Sequence, residues 1–241
     1  MKTSISQLSD IEIRNIIKNK SIKTAIVPIG SLEQHGEHLP VSTDSLIADY
    51  ISKKISEKIP VFNLPVISYG ISFEHEPLFN ISIKNNTLSN FIGEICISLS
   101  KVGIKNIILL NCHHGNSGIL QYIHQNIRER LNEGSMVNFI NYWHLIRDFD
   151  HAGEIETSLV LAIDEKIVNM KKVKRNKNDI PSSKVLSSSI TNIPGSFLKI
   201  TGNGVWGDPT RASKTKGKKL FNVIIRELVK IISEFERYCE F

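Results

Sequence analysis

The 241-residue chain is 41% hydrophobic and carries a formal charge of +6, enough length and apolar content for one domain, residues 1–241, that buries roughly three quarters of its unfolded surface without staples. Cys96, Cys112 and Cys239 are odd in number and lack any Cys-x-x-Cys spacing, which excludes a disulfide framework and a zinc ribbon and fits a reducing cytoplasm. The first residues have no apolar signal-peptide core and no stretch reaches the roughly eighteen apolar residues of a membrane span, so the expectation is a soluble cytoplasmic protein with no membrane partner.

Ser9 to Ile17 reads as an opening helix capped by Ser9 or Asp10, with Ile13, Ile16 and Ile17 on one face. Lys23 to Ile29, a short apolar run bounded by turn residues, reads as a buried strand. It runs into Gly30-Ser31-Leu32-Glu33-Gln34-His35-Gly36-Glu37-His38-Leu39-Pro40, with Asp44 just beyond. Carboxylates, imidazole and a turn-forming glycine are what a borderline or hard divalent ion takes from one loop. Glu33 and His35 are two apart and would diverge on a helix, whereas a looped backbone converges them; a solvated polar loop is the alternative. Asp44 opens a helix reaching about Lys58, where it either caps the helix or turns toward the loop.

Val61 to Ile67 reads as a strand whose Pro65 marks a sheet edge or a strand end. Ser68 to Pro77 is too rich in glycine and polar residues for a core element, and His75 within it either lines a pocket or stands on an exposed loop. Thr87 to Val102 is a helix stopped by Gly103, and Asn106 to Leu110 is the strongest central strand. Asn111-Cys112-His113-His114-Gly115-Asn116-Ser117-Gly118 follows, then a helix from about Ile119, which puts these polar side chains at the carboxyl edge of the sheet. Cys112 and His113 are adjacent on extended chain and point apart, so Cys112 reads as buried and inert rather than as a nucleophile.

Met136 to Asn141 is a further strand, leading to His151-Ala152-Gly153-Glu154-Ile155-Glu156-Thr157-Ser158 and a helix over Gly153 to Ala162. Glu156 shares its face with Leu159, Val160 and Ile163, so it points the way the core does, while Glu154 faces elsewhere. A buried carboxylate needs a cation or donors; an ion, an arginine and backbone N–H groups all remain open as its partner. Lys171 to Ile193 reads as a polar surface excursion rather than a second domain. Gly202 to Pro209 is a turn-dense loop in which Trp206 either walls a pocket or packs, and Ala212 to Glu236 closes the chain as a long helix. The basic clusters at Lys166–Lys177 and Lys214–Lys219 have no interleaved aromatics, and lysine is abundant throughout, so no nucleic-acid partner is expected.

Four ordered motifs, at residues 28–44, 111–116, 151–158 and 204–209, resemble those of the creatininase (creatinine amidohydrolase) family along nearly the whole chain. The resemblance implies a three-layer α/β/α fold with a mostly parallel central sheet and a homo-oligomer. It also implies an amidohydrolase using one or two divalent ions, zinc, iron or manganese. It puts metal ligation on Glu33, His35, Asp44 and His113, with Asp44 bridging, and gives His151 the place of a catalytic histidine. Creatininase proper has a metal-binding glutamate two residues after the histidine matched by His113, where this chain has Gly115. Either Glu156 takes that role or the second ion binds weakly or not at all. Glu154 joins His151 as a candidate proton carrier, and His75, Asn116 and Trp206 are candidate substrate-binding residues.

The expected chemistry is hydrolysis of a non-peptide C–N amide or formamide, with metal-activated water attacking and a protonated leaving nitrogen. The segment from His113 to His151 is shorter than in the creatinine-cleaving enzyme, and the aromatics that close over creatinine have no counterpart. The resemblance extends to relatives of similar length in archaea, the formylaminopyrimidine-ribotide deformylases of riboflavin and deazaflavin biosynthesis, and so implies as specific substrate the formamide of 2-amino-5-formylamino-6-ribosylaminopyrimidin-4(3H)-one 5'-monophosphate, with creatinine or another cyclic amide as the alternative. A metal-free cysteine hydrolase using Cys112 and a non-catalytic basic binding module are the competing classes.

Overall fold

The computed structural model describes residues 3–19, 21–146, 150–175 and 193–238. Four strands, β1 (Thr24–Ile29), β2 (Phe62–Asn63), β3 (Asn106–Asn111) and β4 (Met136–Asn141), form one parallel sheet in the order β2-β1-β3-β4. Parallel strands need crossover connections that cover both faces, and the helices provide them. They are α1 (Asp10–Lys18), α2 (Thr43–Ser56), α3 (Asn85–Lys101), α4 (Ser117–Leu120), α5 (Ile123–Ile127), α6 (Glu154–Ile163), α7 (Ser196–Thr201) and α8 (Lys214–Tyr238).

Strand alternation divides the core in two. Ile26, Ile108 and Leu110 pack against Ile47 and Ile51 of α2, Leu159 of α6, and Phe221, Ile224 and Leu228 of α8. Ala25, Val27, Ile29, Ile107 and Leu109 face the other way, against Leu88, Ile92 and Cys96 of α3 and Ile123 of α5, with Ile13, Ile16 and Ile17 of α1 at the margin. Each fully buried isoleucine or leucine contributes roughly 1.5–3 kcal/mol relative to exposure. The result is the expected α/β/α layering, the sheet being wholly parallel.

Two elements differ from the sequence reading. β2 is only Phe62–Asn63; Pro65 lacks a donor, and the chain rejoins β1 through the single bridge Ile29–Ile67. The helix after β3 is split into α4 and α5, with the Tyr122 N–H tightened onto the Ile119 carbonyl, while Leu120, Ile123 and Ile127 keep one face on the sheet. The polar excursion from Lys171 to Ile193 lies mostly outside the described residues; at its start, Met170–Lys172 forms a 3₁₀ turn. Cys239 also lies outside them. Among the described residues no helix is long and apolar enough to cross a membrane.

Candidate metal centre

β1 and β3 are parallel neighbours, so their carboxyl ends deliver two polar loops to one edge of the sheet. Gly30 follows β1 where the N-terminus of α2 descends onto it; a Cβ there would lie 2.5 Å from Ser45 N, so glycine is what admits the approach. Asp44 sits in the first turn of α2, where the helix dipole favours a carboxylate, but Ser42 holds the cap position and Asp44 turns toward the loop. From the other strand, the Asn111 amide donates to the His113 carbonyl at 2.8 Å and its carbonyl oxygen accepts the His113 N–H at 3.2 Å, which fixes the backbone that presents the imidazole. Asp150 accepts the N–H groups of Ile155 at 2.6 Å and Glu156 at 3.2 Å, starting α6 and setting the phase of Glu156.

These side chains meet in one buried place. Asp44 Oδ1 stands 3.1 Å from His35 Nε2, and Asp44 Oδ2 stands 3.0 Å from His113 Nδ1. Glu33 Oε2 is 3.2 Å from His113 Nδ1, and Glu156 Oε2 is 3.5 Å from His35 Nε2. Donor atoms of Glu33, Asp44 and His113 lie within 4.8 Å of one another, as do those of His35, Asp44 and Glu156, and those of Glu33, His35 and His151. Glu33, Asp44 and Glu156 are at most 3% exposed, and among the described residues their ion-pair partners are histidines. Both Glu33 oxygens and Asp44 Oδ2 are buried without a donor in hydrogen-bond geometry. Carboxylate oxygens kept dry and unpartnered beside imidazoles are the donor set a divalent cation satisfies, so the residues fit such an ion. Glu156 is partly satisfied by the chain itself: its Oε2 accepts the Ala152 N–H at 2.6 Å.

Without a cation, the imidazoles take up positive charge instead. Burial pushes the His35 pKa down, but Asp44, then Glu156 and Glu33, overcome it and raise it to about 10. His113 likewise rises well above the ordinary range: Glu33 and Asp44 outweigh its burial. Burial alone would raise Glu33, yet His113 and His75 hold it well below the usual carboxylate range. Glu156 is driven well above that range by burial, against the pull of His35. His151 goes the opposite way from the other two histidines, lowered by burial and then by His35 and His75, so its imidazole is neutral.

The other sequence candidates have definite places. His75 is buried rather than on an exposed loop, with Nε2 3.1 Å from Glu33 Oε1. Trp206 is half-buried and exchanges two backbone bonds with His151, at 2.9 and 2.7 Å, anchoring that residue's main chain. Asn116 is fully buried, and its amide is spent on the Gly30 carbonyl, the Ile71 N–H and Asn111. Glu154 is not brought to the cluster: helix phase turns it outward, where Lys216 Nζ meets it at 2.7 Å and Arg211 at 3.7 Å. Cys112 is buried, and burial followed by the charges of Asp44 and Glu156 holds its thiol well above the ordinary pKa, which leaves no thiolate for nucleophilic work.

Three residues at the site were not singled out from the sequence. Glu74, 1% exposed, has Oε1 3.8 Å from His75 Nε2 and Oε2 without a partner; its position beside His75 after β2 was the available signal. Burial raises its pKa to about 7 against the pull of His113. Gln34, inside the loop motif, bonds across the site. Phe197 of α7 covers the rings of His75 and His151, with centroids 4.5 and 4.8 Å away, and no sequence pattern marks it. Gly115 explains why no side chain projects from that position: a Cβ would stand 2.1 Å from the Ile71 carbonyl oxygen and 3.1 Å from Glu74 Oε1.

The profile described as creatininase, creatinine amidohydrolase, matches residues 6–232. The chain belongs to the creatininase family. Similar curated proteins include the mycofactocin precursor peptide peptidase of Mycobacterium tuberculosis, 28% identical over 222 residues and covering 87% of this chain and 84% of that one. The creatinine amidohydrolase of Pseudomonas putida is 25% identical over 236 residues, covering 87% and 88%. A 2-amino-5-formylamino-6-ribosylaminopyrimidin-4(3H)-one 5'-monophosphate deformylase of Methanococcus maripaludis is 27% identical over 226 residues, covering 90% and 94%. A crystal structure of creatinine amidohydrolase superposes with a TM-score of 0.80 at 22% identity, over 96% of this chain and 97% of that one, and so shares the fold. As a creatininase-family member the chain is a metal-dependent amidohydrolase that acts on C–N bonds.

Proposed function

We propose that this creatininase-family chain hydrolyses a non-peptide formamide or amide, with Glu33, Asp44 and His113 holding one divalent ion and His35, Asp44 and Glu156 the other. The observation that carries this reading is that the two oxygens of Asp44 face two different donor sets, at 3.1 Å toward His35 and 3.0 Å toward His113. Zinc, iron or manganese suits such nitrogen and oxygen ligands. When bound, such an ion acidifies water and polarises a carbonyl oxygen.

The chain's own residues supply the rest. Glu33, with His75 at 3.1 Å and His151 at 3.8 Å on the same oxygen, ties the ion-binding cluster to the two neighbouring imidazoles. His151, neutral and shielded by Phe197, carries a proton to the leaving nitrogen, since an amine leaves poorly unless protonated. Glu154 has no part in this, being held by Lys216 and Arg211 outside the cluster.

For the substrate we favour the formamide of the ribosylaminopyrimidine 5'-phosphate named for the deformylase relatives. The support is the likeness to one of those relatives over 90% of this chain; Lys174 and Arg175 reach the loops of the first and last motifs, but each is already paired there with a carboxylate, Glu37 at 2.6 Å and Asp208 at 3.6 Å. Creatinine or another cyclic amide is the second reading, supported by the family profile itself. The proposal includes a homo-oligomer in the cytoplasm. Metal-reconstituted protein incubated with the formylaminopyrimidine ribotide, simple formamides, creatinine and a modified peptide, followed by formate and amine release, tests it. Release of formate from the ribotide supports the favoured reading, turnover of creatinine alone replaces it, and turnover of the peptide alone refutes the non-peptide assignment.

A further inference from the structure

Gln34 is 7% exposed and its amide is surrounded by polar atoms whose roles can be deduced in turn. The Gly36 N–H can only donate, and it donates to Gln34 Oε1 at 3.0 Å; the Gly204 carbonyl can only accept, and it lies 3.0 Å from Gln34 Nε2. These two contacts exclude the flipped amide. One of the two Nε2 hydrogens is therefore spent on Gly204. Two histidine nitrogens compete for the other, His75 Nδ1 at 2.9 Å and His151 Nε2 at 3.1 Å.

The backbone decides the competition. His151 Nε2 also lies 3.0 Å from the carbonyl oxygen of Gln34, a pure acceptor, so this nitrogen carries the hydrogen and donates it there. It then has no lone pair for the amide, and the second Gln34 hydrogen goes to His75 Nδ1. His75 must accordingly hold its own hydrogen on Nε2, which faces Glu33 Oε1 at 3.1 Å and Glu74 Oε1 at 3.8 Å. His151 is left with a bare Nδ1 facing the same Glu33 oxygen at 3.8 Å.

We infer that Gln34 is a positioning residue that gives two adjacent histidines opposite duties: both are Nε2–H tautomers, but His75 turns its N–H toward the carboxylate cluster and His151 turns its lone pair. The rings are only 4.7 Å apart, yet one residue addresses them differently, with its backbone carbonyl on His151 and its side-chain amide on His75. The N–H turned toward Glu33 favours its anionic form through charge rather than through a formed hydrogen bond, and the acceptor takes up the proton that is later passed to the leaving nitrogen; this last consequence rests on the proposed amide hydrolysis, whereas the hydrogen assignment does not.

The test is a long-range ¹H–¹⁵N correlation spectrum of the full chain labelled in histidine, recorded zinc-loaded and again after chelation, with His75→Gln and His151→Gln used for assignment. The expected result for chelated protein is a bare Nδ1 and a protonated Nε2 for both His75 and His151, while zinc loading leaves both Nε2 hydrogens in place. Gln34→Glu replaces the donor by an acceptor and should move the His75 hydrogen to Nδ1 or protonate the ring, leaving His151 unchanged at Nε2. Gln34→Met, similar in size and unable to bond, is the second variant should the carboxylate prevent folding, and should leave His75 a mixture of tautomers. An Nδ1–H tautomer at His151 in the wild type, or a His75 signal indifferent to both variants, overturns the inference. If the tautomers are as stated and no amide is cleaved, it is the hydrolytic reading that fails.

Discussion

Asp44 Oδ2 lies 3.0 Å from His113 Nδ1, although one residue opens α2 after β1 and the other follows β3. His113→Ala should therefore lose one equivalent of bound metal per chain and essentially all hydrolysis, while the fold persists, because both sheet faces are packed by apolar clusters that do not include the imidazole. Metal analysis beside a far-UV circular dichroism spectrum checks this; an unfolded variant would show that the ion holds the structure together.

Glu156 faces His35 at 3.5 Å, while Glu154 is paired with Lys216 outside. Glutamine at 156 keeps the size but loses the anion that offsets a second cation close to the first. Glu156→Gln should bind about one ion fewer than wild type, and Glu154→Gln should bind the same number. Equal stoichiometries for the two variants would disprove the assignment of Glu156.

Gly115→Ala inserts a methyl group 2.1 Å from the Ile71 carbonyl oxygen and 2.7 Å from His113 Nε2. The backbone must shift, at a cost of about 1–3 kcal/mol typical of overpacking, and the imidazole shifts with it. Urea unfolding should show the lost stability, and metal affinity should fall in the same variant.

Cys112→Ala should keep hydrolysis within a few fold of wild type, and a thiol reagent should leave the native enzyme active, since the buried thiol stays protonated. Chelation should abolish activity. Inactivation by the thiol reagent with metal still bound would revive the cysteine hydrolase reading.

His38 is buried, and desolvation, then the charge of His35, lowers its pKa from the ordinary 6.5 to about 4. Unfolded chain takes up the proton from about pH 6.5 downward while folded chain does not, so this group's contribution is intact above that pH and is lost progressively down to about pH 4. The slope is at most about 1.4 kcal/mol per pH unit. In chelated protein, His38→Gln should flatten the fall of stability between pH 6.5 and 4, measured by denaturant unfolding across pH. An unchanged slope would mean that other groups carry the acid sensitivity.

The linear order of residues was enough to place the strands and the edge of the sheet that carries the chemistry, while the three layers came from the family resemblance. Short apolar runs bounded by turn and polar residues, such as Ile107–Leu110, read as strands buried on both faces, and polar runs at the carboxyl ends of two parallel strands open on the same side. The phase of α6 was legible for the same local reason: with 3.6 residues per turn, Glu156 goes in with Leu159 and Glu154 goes out. The four ordered motifs carried the family.

Tertiary structure alone decided what depends on meetings between distant segments. Ser42 rather than Asp44 occupies the cap, freeing Asp44 to face both donor sets, and no spacing rule foretells which of two compatible roles a carboxylate takes. Asn116 looks like a binding residue in its motif, yet its amide is consumed by Gly30, Ile71 and Asn111. Glu74 enters the centre because Gly115 leaves room for it, and Phe197 covers the histidines because α7 packs over them. Gln34 adjoins Glu33 and His35 in sequence, but its role is set by Gly204 and His151, far along the chain. Hydrogen bonds are directional and short, so which atom donates to which is settled only once the backbone has brought those segments within about 3 Å of each other.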